Sequence, residues 1–310
     1  MTFGFTNTVL KNWWIYLKSY IRGFFIFIMS INPLDLLLWT FRRNENDVVK
    51  LYDALSPIME VSTGDMLNFG FWDDSTSHPI DAQKQLCMLV GDMAELSSAH
   101  IIADIGSGIL GPAKIWNSQY PSLQISSVNV NFSQLSSVDS GNISKLNSTA
   151  RMLPYADSSL DRVVALESAQ HFKPIGDFIS ESHRVLKDDG IMLLAIPTAT
   201  NNANLTNLGV LKFTWSSEHY SEIQIKDEIS KNKFEIIESK NIGKNVYVPL
   251  AEYYIENRNE LRQKILTRYS SYVEKILFGS MKKMKSSSEK DLIDYSLLKC
   301  KKLALDQNSA

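Results

Sequence analysis

Glu167 and His171 stand four residues apart in Glu167-Ser168-Ala169-Gln170-His171, a polar loop that follows a short apolar run. Imidazole titrates near neutral pH, so such a pair can take up a proton while one partner fixes the tautomer of the other. A second cluster lies in residues 101–113, where an apolar run carries Asp104 and opens into Gly106, Ser107, Gly108 and Gly111. Glycine accepts positive φ and lets bare backbone approach a ligand. The spacing fits G-x-G-x-x-G, which serves a dinucleotide, a phosphate or an S-adenosyl ligand. The acid expected about twenty residues on is replaced by Asn129, which can hydrogen-bond ribose hydroxyls without a charge. The turn alone leaves the ligand open.

These residues need a frame. Short apolar runs predict strands over 101–105, 124–130, 161–166, 191–196 and 234–239, and apolar spacing predicts helices over 47–59 and 82–96. Helices between strands imply a parallel sheet with right-handed crossovers. Residues 198–208 are rich in Asn and Thr, a loop at the carboxyl edge of the sheet, where ligands of open α/β folds sit. A long helical segment over 250–278 and a linker over 281–288 follow.

Composition sets outer bounds. The 310 residues suffice for one α/β domain of about 250 residues with appendages. A net charge of −2 speaks against a nucleic-acid partner. Cys87 and Cys300 are far apart, and no His/Cys cluster has metal-ligand spacing, so no metal is expected. Cys87, in an apolar helix, reads as a small buried hydrophobe in a reducing compartment, which points to the cytoplasm.

Residues 1–45 form an apolar, basic extension. Within residues 1–43, Trp13, Trp14, Phe24, Phe25, Phe27 and Trp39 stand among Lys11, Lys18, Arg22, Arg42 and Arg43, against the single acid Asp35. Lys18, Arg22, Asn32-Pro33 and Asp35 interrupt the run too often for a spanning helix. Bulky apolar groups beside cations suit an interfacial helix on an anionic surface, here over residues 13–39 at the inner face of a membrane. The competing readings are a segment packed on the domain or on a second subunit of a homodimer, and a cleaved or spanning segment.

Further motifs add a likeness. Residues 150–172 follow the pattern of a Leu-Pro-aromatic turn, a short strand and the Glu-Ser-x-x-His loop; Leu67-Asn68-Phe69-Gly70-Phe71-Trp72 precedes the glycine turn, and Glu181-Ser182-His183-Arg184-Val185-Leu186-Lys187 follows. In this order the chain resembles the class I S-adenosylmethionine-dependent methyltransferases, of the type that acts on sugars, isoprenoids, sterols and quinones, over residues 46–303. The resemblance implies a Rossmann-like, doubly wound α/β fold with a seven-stranded, mostly parallel sheet. Residues 293–298 resemble its antiparallel last strand. A helical insertion over about 250–280 would act as a lid over the substrate, the alternative being a solvated surface helix, and 304–310 are a tail.

It also implies site residues. Gly106, Ser107 and Gly108 match the turn under the methionine part of S-adenosylmethionine, and Asp104 the acid that orients its ammonium. Asn129 and Val130 fall at the ribose, Thr149 and Ala150 at the adenine, and Phe71 and Trp72 match the segment that covers the cofactor. Leu110 stands where the family has a third glycine and would narrow the approach. His171 matches a histidine facing the methyl group and would be the base for an alcohol, with Glu167 orienting it or binding cofactor or acceptor. The expected acceptor is a small, apolar molecule such as an isoprenoid, quinone or lipid, methylated on oxygen by in-line displacement. C-methylation of an alkene, with Glu167 and aromatic groups stabilising a cation, a cofactor-free scaffold and a nicotinamide oxidoreductase are the competing readings.

Overall fold

The computed structural model describes residues 44–63, 66–200, 203, 205–215 and 218–303. The extension over 1–43, with its expected membrane contact, and the tail over 304–310 lie outside the described residues. The chain opens with α1 (Glu45–Thr63), where Asn44 caps the first turn by accepting from the Asp47 N–H at 3.1 Å. Next comes α2 (Pro79–Met93), with His78 as N-cap and Pro79 at the first position, where a missing N–H costs nothing. Then follow β1 (Ile101–Ile105), α3 (Gly111–Gln119), β2 (Gln124–Asn129), α4 (Phe132–Ser137), β3 (Ser144–Asn147), β4 (Leu160–Leu166), α5 (Ile175–Val185) and β5 (Leu186–Ala199). The remainder is α6 (Leu205–Leu208), α7 (Leu211–Thr214), α8 (Glu222–Lys231), β6 (Phe234–Asn241), α9 (Gly243–Glu256), α10 (Arg258–Leu266), α11 (Ser271–Glu289) and β7 (Ile293–Lys302).

The seven strands form one sheet in the order β3-β2-β1-β4-β5-β7-β6. The pairs among β1 to β5 are parallel, whereas β7 runs antiparallel to both β5 and β6. This is the seven-stranded, mostly parallel α/β sheet with an antiparallel last strand. Strand alternation divides the apolar residues into two cores. Ile102, Val164, Leu193 and Leu297 face one side with Leu86, Trp116 and Tyr247; Ala103, Val163, Leu194 and Leu298 face the other with Phe178 and Ile179. Leu194 is fully buried, and truncating such a residue to alanine typically costs about 2–5 kcal/mol.

The Glu181-x-x-Arg184 pair explains why the polar end of α5 matters. Arg184 binds both oxygens of Glu181 at 2.8 Å and donates to the carbonyls of Leu153 and Tyr155 at 3.0 and 2.8 Å. Glu181 in turn accepts from the Leu153 N–H at 2.8 Å. The loop that enters β4 is thereby tied to the helix that leaves it.

Two expectations are corrected here. The 281–288 stretch is not a linker but the second half of α11, whose Met281, Met284, Ser287 and Ser288 are buried. The insertion is three helices running from 243 to 289 rather than one over 250–280. They pack on one another and on Trp72 and Ala82 through Leu250, Tyr254, Leu261, Ile265 and Met281. Among the described residues no helix is long and apolar enough to cross a membrane.

Candidate active site

Strand order reverses between β1 and β4, and a crevice outside the carboxyl ends of the strands forms at such a point. Here the end of β1 delivers Asp104 and the glycine turn, and the end of β4 delivers Glu167, Ser168 and His171. Both groups of residues line one cleft of about 1000 Å³, including its open mouth.

The turn after β1 is built for close approach. Gly106 has φ +75°, and a Cβ there would stand 2.3 Å from that of Ser168. Ser168 Oγ donates to the Ile105 carbonyl at 2.5 Å, drawing the two strand ends together. Gly108 also has positive φ, +53°. Leu110, with φ +67°, heads α3 in the left-handed region, and its side chain is fully buried. It does not reach the cleft, whose wall is formed there by Ile109 and Gly111. The expected narrowing by Leu110 is therefore absent, because the left-handed turn sends its side chain into the core.

Two buried polar atoms on this turn have no hydrogen-bond partner, Asp104 Oδ2 and Ser107 Oγ. Burial alone pushes the Asp104 carboxyl up to about 7, since a low-dielectric surround disfavours its charge. An orphaned carboxylate oxygen beside a glycine cradle fits a cationic head group followed by a nucleoside.

Asn129 closes β2 and is already engaged. Its Nδ2 donates to the Gly108 carbonyl at 3.2 Å and to Gln134 Oε1 at 2.9 Å, while its Oδ1 accepts from the Asn131 N–H at 3.1 Å. Only its remaining acceptor capacity is left for a ligand. Val130 and Ala150 line the cleft. Thr149 does not, because its hydroxyl donates to Glu45 on α1, whose carboxylate also meets Arg151 at 3.4 Å. Phe71 and Trp72 lie off the cleft as well. Phe71 packs on the first core, and Trp72 is 6 % exposed among the insertion helices, with its ring 5.9 Å from that of Tyr253. The insertion contributes no lining residue, so the lid expected of it does not cover this cleft.

The chemistry-bearing end holds a neutral imidazole. Desolvation lowers His171 to about 4, and Nε2 lies 2.8 Å from the hydroxyl of Tyr52 on α1. Glu167 does not serve as the partner expected for that nitrogen. Its carboxylate accepts from the Phe69 N–H at 2.9 and 3.1 Å and from the Tyr295 hydroxyl at 3.1 Å. Burial still pushes Glu167 up to about 8. Its work is to fasten the segment before α2 to the end of β4.

A family model described as "Methyltransferase domain" matches residues 103–194, the stretch from β1 to β5 that carries both strand ends. Over this stretch the chain is similar to the class I S-adenosylmethionine-dependent methyltransferases. Methyltransferase GfsG of Streptomyces halstedii is 27 % identical over 165 residues, covering 50 % of this chain and 59 % of that protein. The 27-O-demethylrifamycin SV methyltransferase of Amycolatopsis mediterranei is 28 % identical over 158 residues, covering 48 % of this chain and 57 % of that protein. The chain thus spans about half the length of the curated relatives it matches. The crystal structure of the mycolic acid cyclopropane synthase CmaA1, complexed with SAH and CTAB, shares the fold with a TM-score of 0.69 at 17 % identity, covering 81 % of this chain and 95 % of that one.

The cleft also contains residues that no sequence motif marks. α1 forms one wall with Glu45, Val48, Val49 and Tyr52, and it is tied down by Asp53 to Asn131 at 2.9 Å and by Ser56 to Gln134 at 3.3 Å. Asn68 and Gln134 line the cleft too. Tyr52 lies within a helix read only for its apolar period, and its contact with His171 spans 119 residues; no local signal marks it. Among the described residues no group of three His, Cys, Asp or Glu side chains is placed to hold a metal.

Proposed function

We propose that this chain methylates a hydroxyl of a small, largely apolar and uncharged acceptor, using S-adenosylmethionine. The observation that carries the reading is the convergence, on one cleft, of an unpartnered buried Asp104 oxygen over a glycine cradle with a neutral His171. When bound, the cofactor supplies a methyl group made electrophilic by its sulfonium. Asp104 and Ser107 would hold its ammonium, the Gly106–Gly108 backbone its methionine part, Asn129 and Val130 its ribose, and Ala150 its adenine.

His171 is neutral near pH 7 and accepts the acceptor's hydroxyl proton as the oxygen becomes nucleophilic. Tyr52 holds the ring in place, and burial keeps its phenol protonated. Val48, Val49, Leu67 and Phe172 keep water from the reacting atoms. None of the described lining residues is Lys or Arg, while Glu45, Asp104 and Glu167 are acids. A phosphorylated or carboxylated acceptor would find no counter-charge, whereas a neutral alcohol meets no such penalty. The relative whose name records an O-demethyl substrate supports oxygen as the nucleophile, and the presence of a base in reach favours it over alkene methylation. The apolar, basic segment over 13–39 supports delivery of such an acceptor from a membrane surface.

Incubation with S-[methyl-¹³C]adenosylmethionine and a total lipid extract tests this. A labelled methoxy resonance on a neutral product is expected. Label on carbon would remove His171 as the base, and no label with any neutral alcohol would remove the reading.

A further inference from the structure

Asn68 sits in the segment between α1 and α2 and is only 3 % exposed, yet it lines the cleft. Its Nδ2 is committed to the Cys87 sulfur at 3.5 Å, on α2. Its Oδ1 is buried and has no partner. An amide oxygen left so keeps the cost of its lost hydration, and the surrounding hydrogen bonds hold it there. Gln83 Nε2 donates to the carbonyls of Met66 and Asn68 at 2.7 and 2.8 Å, and Glu167 takes the next N–H, that of Phe69. The backbone on either side of Asn68 is fixed, and its amide nitrogen is fixed as well, so the carbonyl oxygen has one direction left.

Asn68 lines the same cleft as Asp104, Ser107 and Glu167, and there the Asp104 Oδ2 and Ser107 Oγ are likewise buried without partners. Three oxygens without partners, one of them a carboxylate, describe the complement of a group with three N–H donors and a positive charge. A carboxylate would be repelled there, and a lone hydroxyl would satisfy one acceptor only.

We infer that Asn68 is a cofactor-recognition residue, its Oδ1 accepting one N–H of the ammonium whose charge Asp104 balances. This rests on the cofactor reading above and adds to it a residue outside the glycine turn and outside the matched methyltransferase segment. Its consequence is that the segment before α2 selects for an intact amino group.

The test is a double difference by isothermal titration on the full chain. Wild type and Asn68→Ala are each titrated with S-adenosylhomocysteine and with its 2-desamino analogue, which lacks only the ammonium. Asn68→Ala should weaken S-adenosylhomocysteine at least about tenfold, the size of one hydrogen bond to a charged group, and should weaken the desamino analogue less than about twofold. Equal losses for both ligands would make Asn68 a structural residue and overturn the inference. Failure of the wild type to bind S-adenosylhomocysteine would overturn the cofactor reading itself, a separate outcome. If Asn68→Ala does not fold, Asn68→Ser, too short to reach the cleft from the same backbone, is read in the same way.

Discussion

The Tyr52 hydroxyl lies 2.8 Å from Nε2 of His171, and the two rings meet edge to face with centroids 5.2 Å apart. The contact joins α1 to the loop after β4, so the wall of the cleft and its base are one unit. Burial keeps the imidazole neutral, and a His171 that acts as base donates its Nε2–H to the Tyr52 oxygen while Nδ1 keeps the lone pair that takes the acceptor's proton.

Replacing His171 by alanine should lower turnover by at least about tenfold, within the range a positioned base contributes, and leave S-adenosylhomocysteine affinity nearly unchanged. Because burial lowers His171 to about 4, the wild-type rate should show no loss from this group between pH 8 and pH 5 and should fall only as pH approaches about 4. The stability that neutral His171 contributes is complete above the ordinary histidine value and is lost as pH falls from there toward about 4. A rate unchanged in His171→Ala would reassign the base.

Tyr52→Phe keeps the ring contact and removes the hydroxyl that Nε2 meets. Nitrogen NMR should show wild-type His171 carrying its proton on Nε2, the tautomer that leaves Nδ1 to act as base, and the Nε2–H proton signal should move upfield in the variant as its hydrogen-bond acceptor is lost. A wild-type proton on Nδ1, or an identical signal in both proteins, would contradict this arrangement.

Asp104 gives the clearest pH dependence. Burial holds its carboxyl at about 7, so at pH 6 it is largely protonated and attracts an ammonium weakly. S-Adenosylhomocysteine affinity should therefore rise between pH 6 and pH 8, and Asp104→Asn should flatten that rise. Without ligand the sign is opposite for stability. The folded chain retains protons on Asp104 and Glu167 that the unfolded chain has released above the ordinary carboxylate range, so unfolding free energy should decline from pH 6.5 to pH 8. A flat denaturation profile over that interval would contradict the assigned burial.

Gly106→Ala should abolish nucleoside binding or folding, since the added carbon would meet Ser168 Cβ at 2.3 Å on a backbone at φ +75°. Gly141→Ala is the matched control. It also has positive φ, +53°, but nothing lies within 4 Å, so only the backbone strain of about 1–2 kcal/mol applies. Equal thermal shifts in the two variants would mean that the Gly106–Ser168 approach does not shape the site.

The fold was legible wherever a strand is buried on both faces. β1, β4 and β5 read as apolar runs because helices cover both sides of them. β3 was missed because Ser144–Asn147 is an exposed edge strand with one partly buried apolar residue, Leu146. The end of α11 was misread because Ser286, Ser287 and Ser288 look like a linker, whereas Ser287 and Ser288 are buried beside α11's apolar positions. In the site, Asp104, Gly106, Glu167 and His171 were legible because strand ends and glycine turns impose local patterns. What the Glu167 carboxylate and the Trp72 ring touch was not legible, because their partners Phe69, Tyr295 and Tyr253 lie in segments that no local spacing connects. Tyr52 and Asn68 escaped for the same reason.

The central claim is that the crevice between the ends of β1 and β4 holds the alkyl donor's nucleoside and amino-acid parts together. A crystal structure of the full chain grown with S-adenosylhomocysteine tests it most directly. The account expects the ligand in that crevice, its amino group on Asp104 and its ribose toward Asn129. A crevice left empty at millimolar ligand, or a ligand seated elsewhere, would contradict it.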